Sequence, residues 1–219
     1  MLADILLRIA AETQEPRQKY RPRPSLAGQE RCIRQLTYFA RDFPAAPFPG
    51  RAIAIFDDGN WHQEILADWI RKSTFTLHSE GMIVDTLVGR GEIDGVITDM
   101  LNVDRLLEVK SANHFSYERW WKGEYPLDYF TQVALYINGL QQVQPEIVEG
   151  ILLAKNKNTS ALMEFLRKYD SETDTIKLIE VVRSDGQRSK SDFAIQRVCQ
   201  SAKEKFDEVE RHRKAKTLP

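Results

Sequence analysis

Two acids and a lysine are spaced so that they could share one spot. Asp94 lies in the run Gly89-Arg90-Gly91-Glu92-Ile93-Asp94-Gly95-Val96-Ile97, which alternates like a strand. Glu108 and Lys110 lie in the next such run, Leu106-Leu107-Glu108-Val109-Lys110-Ser111. Side chains of an extended chain alternate between faces, so Glu108 and Lys110 point one way and Leu107 and Val109 the other, toward a core. The spacing predicts a carboxylate beside an ammonium on one exposed spot. A register slip of one residue would turn both charges into the apolar interior, so the arrangement is strongly specified. Carboxylates on neighbouring strands bind hard divalent cations such as magnesium or manganese, with the Val109 carbonyl and the His62 imidazole available to complete the protein's share of the shell. Such a cation polarises a phosphoryl oxygen and acidifies water, while Lys110 orients the nucleophile or stabilises charge on the phosphate. The chemistry is phosphodiester hydrolysis. Read without function, the acids are surface strand residues, and Glu108 with Lys110 is a same-face ion pair worth at most about 1 kcal/mol.

These residues need a sheet and helices to hold them. Short strand-like runs are expected over Thr74 to Leu77, Met82 to Val88, Arg90 to Thr98 and Arg105 to Ser111, separated by Gly81, Gly89 and a turn at Leu101 to Asp104. Before them, Asp57 or Asp58 offers a cap for a helix in which Trp61, Ile65, Leu66, Trp69 and Ile70 recur at helical spacing, with His62 on its first turn. After them the chain turns aromatic and basic through Phe115, Tyr117, Arg119, Trp120, Trp121, Lys122 and Tyr125. Pro126 opens a helix to about Gly139 with Phe130, Val133, Ile137 and Leu140 inward, and Gln132 and Tyr136 share one of its faces. Ile147 to Ala154, Ala161 to Leu166 and Thr175 to Val182 read as further strands, Ser184 to Ser191 as a polar turn, and Asp192 to about Lys214 as a long helix. At the other end, Met1 to Glu12 and Ser25 to about Asp42 read as helices. The prolines and cations of Pro16 to Pro24 make either a basic arm for phosphates or a solvated linker.

The order His62, Asp94, Glu108-Val109-Lys110 and Gln132-Val133-Ala134-Leu135-Tyr136 resembles the RecB-type branch of the PD-(D/E)xK nuclease superfamily. It is similar especially to the CRISPR-associated and phage-borne exonucleases. The resemblance spans roughly Arg51 to Ala154. It implies an α/β fold, a central mixed β-sheet flanked by helices with a restriction-endonuclease-like core. The domain would be single, with its catalytic core at 51–154 and flanking helical segments at 1–50 and 184–219. It implies His62, Asp94, Glu108 and the Val109 carbonyl as metal ligands, Lys110 as the catalytic lysine, and Gln132 and Tyr136 as residues that position DNA or the lysine. Many members of that branch hold an iron-sulfur cluster on one upstream and three downstream cysteines. Here Cys32 and Cys199 are the only cysteines, so no cluster is expected, and the helices that it would staple must pack by apolar contact.

Tyr117, Trp120, Trp121 and Tyr125 beside Arg119 and Lys122 could stack on unpaired bases while the cations meet phosphates; alternatively the tryptophans cap the core. The expected activity is a magnesium- or manganese-dependent deoxyribonuclease, an exonuclease acting on DNA ends or single strands in repair, recombination or phage or CRISPR DNA processing. The alternatives are a non-catalytic DNA-binding or assembly subunit of the same fold, or an enzyme of another phosphate ester. Composition is that of a soluble globular protein, 42% hydrophobic and 29% charged, and the net charge of -1 decides nothing about nucleic acid. No apolar run approaches the roughly 20 residues of a membrane span, and the amino end lacks the pattern of a secretory signal. A cytoplasmic protein without a membrane partner is expected.

Overall fold

The run that carries Glu108 and Lys110 is a nine-residue strand inside a mixed sheet. The computed structural model describes residues 2–13, 19–28 and 30–219. Its helices are α1 (Leu2–Glu12), α2 (Ile33–Ala40), α3 (Gly50–Arg71), α4 (His114–Trp121), α5 (Leu127–Leu140) and α6 (Val198–Ala215). Its strands are β1 (Thr76–His78), β2 (Ile83–Thr86), β3 (Gly89–Glu92), β4 (Gly95–Thr98), β5 (Asp104–Ala112), β6 (Glu149–Asn156), β7 (Leu162–Asp170), β8 (Thr175–Arg183), β9 (Arg188–Lys190) and β10 (Ala194–Gln196). Eight strands form one sheet in the order β1-β4-β5-β6-β7-β8-β10, with β9 also against β8, and β2 with β3 makes a separate hairpin. Among the described residues, only β5 and β6 pair in parallel. A parallel pair needs a long crossover, and α4 and α5 supply it. The result is a single α/β domain, a mixed sheet flanked by helices.

Alternation along β5 sends Leu107 and Val109 to one face, where they meet Leu66 of α3, Ile97 and Ile151. Leu106 and Ala112 go to the other, into the larger core built around α5. Both faces are therefore covered, and Glu108 is buried rather than exposed as the spacing had suggested. Helix α5 is buried on nearly every side, from Phe130 to Ile137 and again at Gly139 and Leu140. A helix apolar all round belongs in an interior, and here the sheet lies under it while the β2–β3 hairpin contacts it as well. Each fully buried leucine, isoleucine or phenylalanine in it contributes roughly 1.5–3 kcal/mol.

The stretch from Arg90 to Thr98 does not run as one strand. Gly95, at φ 155°, takes a conformation that L side chains rarely adopt, and a Cβ there would lie 2.8 Å from Leu77 Cδ1. The chain thereby leaves the hairpin at Ile93-Asp94 and enters the main sheet at β4. Helix α3 begins directly after Pro49, earlier than the Asp57 or Asp58 cap predicts, because Arg51 to Phe56 contains no breaker. The helix expected from Ser25 reduces to a 3₁₀ turn at Pro24–Leu26 and to α2. The aromatic, basic stretch after Asn113 is itself helical, capped where the Asn113 side chain accepts from the Ser116 N–H. The polar turn at Ser184 to Ser191 holds β9, and the carboxyl-terminal helix starts at Val198 after β10. Helices α2 and α6 lie against each other, with Leu36, Ala40, Phe206 and Val209 buried. Cys32 is exposed and Cys199 buried, both as free thiols. Of the proline-rich basic stretch, Pro16, Arg17 and Gln18 lie outside the described residues, as does Met1. No helix among the described residues is long and apolar enough to cross a membrane.

Candidate active site

Asp94 stands just before β4, opposite the point where β5 runs on beyond its last pairing with β4, Gly95 to Leu107. Its Oδ2 accepts the Val109 N–H at 2.6 Å and its Oδ1 accepts from Gln63 Nε2 of α3 at 2.8 Å. Main chain and helix thus fix the carboxylate at both oxygens. The N–H and C=O of one strand residue leave on the same side, so the Val109 carbonyl also faces the Asp94 side of β5.

Glu108 and Lys110, two residues apart on one face, form the expected ion pair, Lys110 Nζ donating to Glu108 Oε1. The Glu108 side chain is 1% exposed and that of Lys110 24%, so the pair sits at the rim of the interior with the ammonium outermost. Lys110 Nζ also lies 5.3 Å from the centroid of the Tyr129 ring on α5. Burial pushes the Glu108 carboxyl up to about 7; Lys110 opposes that rise and Asp94 adds to it. Burial likewise raises Asp94 above its ordinary value against the pull of Lys110, the Val109 N–H and Gln63. For Lys110, burial acts downward, but Glu108 and Asp94 outweigh it and the ammonium is raised. Two crowded carboxylates and one cation therefore interact strongly at a partly dry spot.

Gln132 and Tyr136 share a face of α5, as their spacing predicts, and both are buried. The Tyr136 hydroxyl donates to the Glu92 carbonyl at 2.8 Å. Burial, with Glu108 second, pushes the tyrosine up to about 12. Gly91 makes this approach possible, since a Cβ there would fall 2.6 Å from Tyr136 Oη. In this arrangement Tyr136 fastens α5 to the hairpin that leads into Asp94.

His62 is not brought to the acids. Its Nε2 meets Asp58 Oδ1 at 3.3 Å, and Asp58 in turn pairs with Lys157 at 2.7 Å. Burial, then Lys155, lowers the imidazole below its ordinary value against the pull of Asp58. Gln63, the next residue along α3, is the one that reaches Asp94, whereas the resemblance implies His62 as a metal ligand. Among the described residues no three histidine, cysteine, aspartate or glutamate side chains converge to hold a metal ion. The oxygen donors nearest to a shared site are the carboxylates of Asp94 and Glu108, which act on each other electrostatically, with the Val109 carbonyl on the Asp94 side of β5. Glu108 Oε2, buried and without a hydrogen-bond partner among the described residues, is free to serve as one. Hard oxygens from one or two carboxylates, with the remaining positions left to water and phosphate, suit magnesium or manganese.

The expected nucleic-acid residues divide. Tyr117 is wholly buried, its hydroxyl donating to the Leu162 carbonyl at 2.8 Å, so it has no face to offer a base and belongs to the core. Trp121 lies under Arg183, 5.3 Å from guanidinium to ring. Arg119 is exposed and bound to Glu124, and Lys122 is exposed. Trp120, half-buried and edge-on to Tyr129 at 6.0 Å, lines a cleft of about 530 Å³ together with Arg119, Tyr129 and Gln132. That cleft therefore reaches the residues around Lys110. Three contributors escaped the sequence reading: Gln63, Tyr129 and Arg167, a fully buried arginine on β7 that interacts electrostatically with Glu108. Tyr129 precedes Gln132 by one helical turn, and a lone cation among Met163, Phe165 and Tyr169 was the available signal for Arg167.

No family model matches the chain, and no curated protein matches it. The crystal structure of SSO0001 is similar at 15% sequence identity over 76% of each chain, with a TM-score of 0.41.

Proposed function

We propose that this protein is a metal-dependent deoxyribonuclease that hydrolyses phosphodiester bonds at DNA ends or in single strands, working in the cytoplasm. The observation that carries the reading is the grouping of Asp94, Glu108 and Lys110 where β5 runs on beyond its pairing with β4. The chemistry that magnesium or manganese supplies when bound by such oxygens is polarisation of a phosphoryl oxygen and acidification of water. Asp94 and Glu108 would hold the ion with the Val109 carbonyl, and Gln63 and the Val109 N–H keep Asp94 oriented. Lys110, more exposed than Glu108, turns from it toward the scissile phosphate and stabilises the charge that develops there. Tyr129 stays beside the ammonium along that path. Trp120 offers an aromatic edge to an unpaired base in the adjoining cleft, which favours single strands or frayed ends.

The second reading, a DNA-binding or assembly subunit that keeps the fold without cleaving, is favoured by the turning of His62 toward Asp58. Digestion of end-labelled single- and double-stranded DNA, linear and circular, with magnesium, manganese or chelator separates the two. Metal-dependent cleavage lost in both Asp94→Ala and Lys110→Ala supports the nuclease. Intact DNA that every form still binds supports the subunit.

A further inference from the structure

Phe165 and Tyr169 on β7 are core residues under α5, as is Met163. Arg167, between them, is also fully buried. None of its three guanidinium nitrogens hydrogen-bonds within the described residues. The guanidinium carbon lies 3.8 Å from the centroid of the Phe130 ring. The charge that acts on it is that of Glu108, whose Oε2 is likewise buried and unbonded. Burial pulls the arginine's pKa well down and Glu108 pulls it up, yet arginine keeps its proton in proteins. Stacking on a ring relieves only part of the cost of drying a charge. A methionine at this position would fill comparable space without that cost, so packing alone does not account for an arginine.

Resting on the nuclease reading, we infer that Arg167 is a positioning residue, the fixed counter-charge that keeps the Glu108 carboxylate in place when Lys110 leaves it for the substrate. Two cations of different kinds act on Glu108, Lys110 through an ion pair and Arg167 electrostatically without one. Lys110 is partly exposed and already holds Oε1; Arg167 is sealed beneath α5 and cannot leave. One mobile and one permanent countercharge allow Lys110 to turn outward without stranding a buried acid.

The test is a thermal-melting cycle at pH 8 on metal-free wild type, Arg167→Met, Glu108→Gln and the double variant, with manganese binding followed by electron paramagnetic resonance. The pairing predicts that the double variant melts about 3 °C or more above the sum of the two single changes, and that Arg167→Met binds manganese roughly tenfold more weakly. Melting changes that simply add, with manganese binding equal to wild type, would overturn it. Should Arg167→Met not fold, Arg167→Gln, which removes the charge and keeps a polar side chain, takes its place under the same criteria. A wild type that shows the coupling yet binds no manganese would sink the nuclease reading and leave the pairing standing; binding and cleavage without coupling would do the reverse.

Discussion

Asp94 Oδ2 accepts the main-chain N–H of Val109 at 2.6 Å, and that bond ties the first acid to the strand that carries the second. The register of β5 and the aim of Asp94 are thus one constraint. Asp94→Asn can still accept the same N–H while losing the charge, so the fold should survive. The expected outcome is a melting temperature within a few degrees of wild type, with manganese affinity reduced at least tenfold, measured by titration calorimetry.

Gln63 holds the other oxygen of Asp94. Gln63→Leu removes the donor and leaves that carboxylate free to rotate. Second-shell losses of this kind cost roughly 10- to 100-fold in metal affinity or activity. Cleavage rates against manganese concentration should show a raised half-saturation point, and an unchanged one would count against the geometry.

Burial places the Glu108 pKa at about 7, against 4.5 as its ordinary value. A raised acid means that the folded chain holds the proton more tightly than the unfolded one. Its contribution to stability is therefore full below about pH 4.5 and lost as pH rises through about 7. Cation binding runs the other way, because the ion competes with that proton. Asp94, also raised by burial, adds in the same sense. Manganese affinity should climb steeply between about pH 5 and 7 and level off above, while the metal-free protein melts lower across the same window. Glu108→Gln should flatten the fall in melting temperature.

Alternation around Leu107 and Val109 was sufficient to predict the strand, the pairing of Glu108 with Lys110 on one face, and the apolar face opposite. It could not report that the polar face is covered too, because that burial comes from α5 and the hairpin, which are remote in sequence. The Gln132 to Tyr136 spacing was legible for the same reason that any four-residue helical spacing is. The choice between His62 and Gln63 was not. Adjacent helical residues point about 100° apart, and only the crossing of α3 over the sheet decides which of them meets Asp94. Trp120 and Tyr117 sit three apart in one aromatic run, yet one borders a cleft and the other fills the core. The side of α4 that packs on the sheet makes that distinction.

Lys110 can be removed with little structural cost, because its side chain is partly exposed and Glu108 would keep Arg167 nearby. If Lys110 stabilises transition-state charge, Lys110→Ala should lose roughly 10²- to 10³-fold in cleavage rate while binding DNA as wild type does. Single-turnover digestion beside filter binding checks this, and a loss carried wholly by weaker binding would assign Lys110 to contact rather than chemistry.

Tyr136 gives the sharpest contrast between the resemblance and the geometry. The resemblance implies a residue that positions DNA or the lysine, whereas here its hydroxyl donates to the Glu92 carbonyl and holds α5 to the hairpin. Tyr136→Phe leaves that acceptor without its donor at about 1–3 kcal/mol. Gly91→Ala attacks the same contact from the other side, since its Cβ would fall 2.6 Å from Tyr136 Oη, and overpacking of this kind costs about 1–3 kcal/mol. Both variants disturb the turn that delivers Asp94. Both should therefore melt several degrees lower and lose metal affinity together, with DNA binding by the metal-free protein unchanged. If Tyr136→Phe instead melts as wild type and loses DNA binding, the hydroxyl faces substrate and its bond to Glu92 contributes nothing to the fold. Combining the two substitutions separates hydroxyl from ring: an alanine Cβ would also lie 2.7 Å from Tyr136 Cε1, which phenylalanine keeps, so loss of the hydroxyl should relieve the clash only in part and leave the double variant slightly less destabilised than the sum.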